Sequence, residues 1–161
     1  MKKIKKQKGF TLIEILVVIG IIAILAAVVL IAINPARQFA QARDSQRVSN
    51  LNTILNSIGQ RMADNKGLFS GLGIDAKTCP SLPGPALADA KIIDNAAAGS
   101  GVDLSCLAPT YVSALPIDPS LPPTSISTGY NIYQDANGRI HVLTTVNETS
   151  IPRTSPIEIV R

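Results

Sequence analysis

Gly9-Phe10-Thr11-Leu12-Ile13-Glu14, followed by Ile15-Leu16-Val17-Val18-Ile19-Gly20-Ile21-Ile22-Ala23-Ile24-Leu25-Ala26-Ala27-Val28-Val29-Leu30-Ile31-Ala32-Ile33, decides how this chain folds. The nineteen residues from Ile15 to Ile33 contain no charge and no proline. As a helix they rise about 28 Å, close to the thickness of a bilayer's hydrocarbon core. Five lysines (Lys2, Lys3, Lys5, Lys6, Lys8) come before the stretch, with no acidic residue among them. Positive charge stays on the cytoplasmic side, so the expected topology is a single pass with the N-terminus inside and the remainder outside. Glu14 is the exception to the apolar pattern. A carboxylate at membrane depth is costly, which marks it as a functional candidate.

Lys8-Gly9-Phe10-Thr11-Leu12-Ile13-Glu14 resembles the processing motif of type IV prepilins and type II secretion pseudopilins. That motif joins a short basic leader, a glycine, an N-methylated residue and a glutamate to a long apolar helix. The likeness is specific over Met1 to about Ile33 and elsewhere is one of general layout. It implies removal of residues 1–9 by a prepilin peptidase, between Gly9 and Phe10, and N-methylation of Phe10 by the same type of enzyme. The peptidase of such systems needs a residue without a side chain at Gly9. The resemblance further implies a membrane assembly platform with a cytoplasmic ATPase as partner. The lipid bilayer would be the environment before assembly, and a cell-surface or periplasmic filament of like subunits the product.

Two other readings of the N-terminus stay open. An ordinary secretory signal has a shorter apolar region followed by a small-residue cut and a polar mature start. Here Ala26-Ala27 runs into Val28-Val29-Leu30-Ile31. An uncleaved signal anchor would keep every lysine. Glu14 itself has two roles to fill. Cleavage frees an α-amine on Phe10, positive at neutral pH. The glutamate of one subunit could neutralise that amine on another where neither is solvated. Alternatively it complements the positive end of its own helix. Gly20, Ala23, Ala26 and Ala27 form a small-residue strip suited to close helix packing, although alanine is also simply a good helix former.

Bulk composition narrows the function. The formal charge of +4 misleads, because loss of Met1–Gly9 removes five of the fifteen basic residues and leaves ten against eleven acidic ones. The processed chain is close to neutral, so the basic pI gives no case for nucleic-acid binding. With no tryptophan and few aromatics, stacking platforms for bases are scarce.

Asn34-Pro35 closes the apolar stretch. Pro35 removes a backbone hydrogen bond and crowds Ile31, predicting a kink or an unwound turn. From 35 to 66 the pattern is helical again. Val48, Leu51, Leu55, Ile58 and Met62 alternate in steps of three and four, with Phe39 before them and Ile54 alongside. That predicts one narrow apolar seam facing the downstream domain, with Arg37, Arg43, Asp44, Arg47, Arg61 and Asp64 off it. Asn65-Lys66-Gly67 reads as the helix stop. Residues 67–118 are loop-rich, with one short helix expected over Pro85–Ile93. Cys79 and Cys106 fall outside the membrane, where a disulfide between them would add about 3–4 kcal/mol by loop closure.

Asp118, in Leu115-Pro116-Ile117-Asp118-Pro119, and Asp135 are the calcium candidates suggested by some pseudopilins. They lack the alternating oxygen ligands of a calcium loop and read better as surface turn residues. No other cofactor is expected. Residues 130–134 and 139–146 flank Asp135-Ala136-Asn137-Gly138 and predict a β-hairpin. Two strands alone are unstable, so a third is expected from Thr124–Ser127 or Ile157–Val160. His141 is placed on the hairpin surface. Asn147-Glu148-Thr149 spells a glycosylation sequon, a pattern that arises often by chance.

No nucleophile–base set, phosphate loop or carboxylate pair suggests an enzyme. The expected fold is α+β, of the type IV pilin kind. Its divisions are a leader (1–9), a transmembrane or filament-core helix (10–34), an amphipathic helix (35–66) and an extracytoplasmic head (67–161). The expected function is a structural filament subunit; the alternative is a single-pass anchored binding module that does not polymerise.

Overall fold

The computed structural model describes residues 9–97, 99–146, 148–151 and 155–161. The lysine-rich leader up to Lys8 and the sequon's Asn147 lie outside the described residues. The chain divides into two compact units, one ending at Gln38 and the other running Phe39–Arg161.

In the first unit, helix α1 spans Leu12–Ala32 and buries none of its side chains. It is long and apolar enough to cross a membrane. Ile33 leaves helical geometry, at φ −95° and ψ 116°, while its N–H still donates to the Val29 carbonyl. Helix α2 then starts afresh at Pro35. Proline suits a first helical position, where its missing N–H has no partner to lose. The Asn34 side chain accepts from Arg37 N at 3.2 Å and caps the new helix. The expected unwound turn is therefore a full break with its own cap.

The second unit is built on α2, Pro35–Asp64. Its buried stripe runs Ala40, Asp44, Arg47, Leu51, Ile54, Ile58, Arg61, in steps of four and three. This corrects the expected seam in two respects. Asp44, Arg47 and Arg61 lie on the stripe and not off it, while Phe39 and Val48 stay exposed. The helix period holds throughout, but ionic groups flank the apolar middle of Leu51, Ile54 and Ile58 on both sides. The helix stops as expected. Lys66 and Gly67 take positive φ, and Gly67 N donates to the Met62 carbonyl.

A five-stranded sheet covers the apolar middle of α2. Its strands are β3 (Lys91–Asp94), β4 (Val102–Asp103), β5 (Ser127–Gln134), β6 (Ile140–Thr144) and β7 (Glu158–Val160), in the order β4-β3-β5-β6-β7. All neighbours are antiparallel except the two-residue pair β3–β4, which is parallel. The hairpin β5–β6 forms where expected, with Tyr130 opposite Thr144 and Gln134 opposite Ile140. Gly138 takes φ +84° at the turn's end, a conformation that favours glycine. Asp135 Oδ1 accepts from the N–H groups of Asn137 and Arg139 and fixes the loop.

Of the two candidates for a third strand, the C-terminal one is used, since β7 pairs with β6. The neighbour of β5 comes instead from β3, within the segment expected to be helical. Only Leu87–Asp89 makes a single 3₁₀ turn there. Ile92 and Ile93 extend along β5, because β-branched side chains suit a pleated, half-buried surface and Ile93 is fully buried.

The core joins Leu51, Ile54, Leu55 and Ile58 of α2 to Ile93, Tyr130, Ile132, Ile140 and Val142 of the sheet, with Phe69, Leu104, Leu107 and Leu115 from loops. A small ribbon, β1 (Gly71–Leu72) with β2 (Thr78–Cys79), sits beside it. Cys79 and Cys106 are joined by a disulfide with their Cα atoms 5.5 Å apart. It ties β2 to the 3₁₀ turn Ser105–Leu107 within the loop-rich segment.

Candidate processing and assembly site

The N-terminal segment presents an accessible peptide leading into a capped helix. Gly9, Phe10 and Thr11 lie outside regular structure, and the Phe10 side chain is 84% exposed. Thr11 is the N-cap of α1, and its side chain accepts from Glu14 N at 3.3 Å. In return Glu14 Oε2 accepts from Thr11 N at 2.8 Å and from the Thr11 hydroxyl at 2.7 Å. This is a reciprocal capping box, which satisfies donors that a helix start leaves unpaired. Within a single chain, then, Glu14 is occupied by its own helix start. Thr11 was not singled out from the sequence, although a threonine three residues before a glutamate is the signature of such a box.

Pro35 begins α2, as described above, and the two cysteines are bonded to each other. The two calcium candidates are engaged elsewhere. Asp118 is buried, not a surface residue, and accepts from Arg47 Nε at 2.8 Å and Nη2 at 3.1 Å. Its carboxylate also accepts from Ser120 N and Oγ. Asp135 holds the hairpin turn and pairs with Arg139 at 2.8 Å. His141 is 9% exposed rather than on the surface, and its ring stacks on Tyr133 with centroids 4.3 Å apart.

Arg47 is the centre of a network that the sequence reading missed. Its guanidinium is wholly buried and pairs with Asp118, with Asp44 at 3.1 Å and with Glu148 at 2.6 Å. Glu148 also takes a two-pronged contact from Arg43, at 2.8 and 2.5 Å. One arginine of α2 thereby fastens the segment before β5 and the segment after β6. Burial pushes Asp118 upward, but hydrogen bonds from Arg47 and Ser120 outweigh it and hold its carboxyl below the ordinary value. Hydrogen bonds from Arg43, and then from Arg47, lower Glu148 to about 2 against the opposing effect of burial.

Arg61 does related work at the far end of α2. It donates to the carbonyls of Phe69, Gly71 and Lys77 and pairs with Asp75 at 3.3 Å. The 69–77 loop is thus wrapped around one buried cation. Among the described residues, no group of three His, Cys, Asp or Glu side chains converges as a metal site.

Residues 4–30 match the prokaryotic N-terminal methylation motif. That segment is the class III signal peptide of type IV pilins and pseudopilins. The chain's α+β layout, an apolar N-terminal helix followed by a small and mostly antiparallel sheet, is typical of type IV pilin-like proteins. A motif of this class points to a precursor with a structural role and to anchoring through the apolar helix. The match ends at residue 30, so the head lies outside it. No solved structure matches the chain.

Proposed function

We propose that this chain is a structural subunit of a type IV pilus or pseudopilus filament. In this reading a prepilin peptidase cuts between Gly9 and Phe10, Phe10 is N-methylated, and the subunit waits in the cytoplasmic membrane with its head outside. An assembly platform driven by a cytoplasmic ATPase then extracts it, and α1 exchanges lipid contacts for contacts with neighbouring α1 helices. The observation that carries the proposal is the methylation motif running directly into a helix whose side chains are all uncovered. An apolar helix of this kind needs either lipid or copies of itself.

The capping box gives Glu14 a double task. Before assembly its carboxylate serves Thr11. In the filament it turns to the Phe10 amine of a neighbour, where the two charges neutralise each other. Paired substitutions separate this from a capping role alone. Glu14→Ala is expected to abolish fibres while membrane insertion persists. Thr11→Val removes the cap's hydroxyl but leaves the carboxylate, so fibres are expected to survive. Equal loss of fibres in both variants, each with a correctly cut N-terminus, would reduce Glu14 to a helix cap.

A further inference from the structure

We infer that the loop beyond the end of α2 is an assembly surface, whose outward aliphatic side chains seat in a groove near the start of α2 on a second copy of this chain. The contact rests on the filament reading and adds to it a specific junction between heads. Gly67-Leu68-Phe69-Ser70-Gly71-Leu72-Gly73-Ile74 carries no charge. Its second half forms β1 and the turn toward β2, and there the usual polarity is inverted. The inner side is polar. Arg61 donates to the carbonyls of Gly71 and Lys77 and pairs with Asp75, and a Cβ on Gly73 would stand 2.5 Å from the Arg61 guanidinium. The outer side is apolar. Leu72 and Ile74 are 72% and 71% exposed, and Leu68, at the start of the segment, is 66% exposed.

An antiparallel ribbon with one solvated face normally turns polar side chains to the water. Here the polar groups are spent on a buried cation, which holds the ribbon with its aliphatic side chains outward. Apolar surface presented in this way is covered by another body in the working state. The same head carries a matching acceptor. Gln41, Asp44, Ser45 and Val48 lie three or four residues apart on one face of α2 and, with Ile151, line a groove of about 480 Å³, roomy enough for a leucine and an isoleucine side chain. Val48 and Ile151 give it apolar walls, and its carboxylate, Asp44, is paired with Arg47.

Between Ser45 and Asp64 helix α2 rises about 28 Å, so the tip and the groove of one chain do not meet. They meet only between copies. Each copy gives its tip to one neighbour and its groove to the next, a heterologous contact that propagates a filament instead of closing. Three side chains in a shallow groove bury far less than the about 800 Å² per partner of a stable free complex. The contact therefore forms among copies already gathered through α1, which raises their effective concentration, and subunits dispersed in micelles stay single.

The experiment uses fibres sheared from the native cells. Both cysteines of the chain are held in the disulfide, so Ser45→Cys and Ile74→Cys introduce the only free thiols. A short bis-maleimide applied to fibres of this double variant should yield a ladder of trimers and longer products. The same variant dispersed in micelles, and either single variant in fibres, should give no ladder. Leu72→Ser with Ile74→Ser alters exposed side chains only, so the urea midpoint of the chain in micelles should hold while most of the sheared-fibre yield is lost. Intact fibres of the cysteine pair without a ladder would overturn the contact and leave the filament reading standing. Dimers alone would mean a closed two-fold pair and would overturn it too, as would an undiminished yield in Leu72→Ser with Ile74→Ser. If added phosphatidylglycerol vesicles, and not fibre formation, protect the Ile74→Cys thiol from maleimide, the tip belongs to lipid and the contact falls. Absence of fibres from wild-type cells is the separate result that removes the filament reading and this contact with it.

Discussion

Arg47 shows how much one side chain can decide. A buried guanidinium is tolerable only when each charge near it is matched, and here Asp118, Asp44 and Glu148 match it. Arg47→Ala would leave Asp118 buried without its main partner. Equilibrium denaturation of the variant is expected to show a loss of about 3–5 kcal/mol. Arg47→Met with Asp118→Leu removes that pair and should recover part of the loss, the remainder reflecting Asp44 and Glu148, which keep their charges but lose their contact with Arg47. The same network sets an acid limit. Glu148 is lowered to about 2 and Asp118 is also held below its ordinary value. Carboxylates depressed in the folded state stabilise it above their unfolded pKa and lose that contribution as pH falls through the folded one. The denaturation midpoint should therefore be level above about pH 5 and decline between about pH 4.5 and 2. The decline should be shallower in Glu148→Gln; an identical pH profile would remove Glu148 from the explanation.

The elements differ in how far they could be read in advance. Helix α1 was legible because nothing but length and apolarity decides it, and the hairpin because Asn137-Gly138 interrupts two β-rich runs. The period of α2 was legible too, but its inner face was not. Counting only apolar residues put Phe39 and Val48 inside and Arg47 outside. Residues 40, 44, 47, 51, 54, 58 and 61 keep one helical stripe, and charged residues at stripe positions are the available hint of buried ion pairs. Strand β3 was hidden for a different reason. Its four residues gain their conformation from pairing with β5, some forty positions away, which no local pattern reports. Thr11–Glu14 was visible as a capping box and went unread beside the stronger motif it overlaps. The loop-rich segment depends on its crosslink. Replacing Cys79 and Cys106 together by serine should lower stability by about 3–4 kcal/mol in urea titration, with an unchanged midpoint contradicting that role.

At the scale of the whole molecule, two physical problems are solved in separate parts of the chain. The head from Phe39 onward closes a core between α2 and a five-stranded sheet, fastened on either side of the helix's apolar stretch by Arg47 and Arg61. The segment before it carries apolar surface that no part of its own helix covers. In the proposed function, lipid covers that surface first and neighbouring copies cover it afterwards. In that reading the second stage requires that the lysines be removed while the helix is kept, unlike an ordinary cleaved signal or an uncleaved anchor. The most direct test is mass spectrometry of the N-terminal peptide from the protein isolated out of its native cells. The account requires a chain beginning at N-methylated Phe10, recovered from sheared surface or periplasmic fibres. A chain that still carries Met1–Gly9, or one cut after the apolar helix, would contradict it.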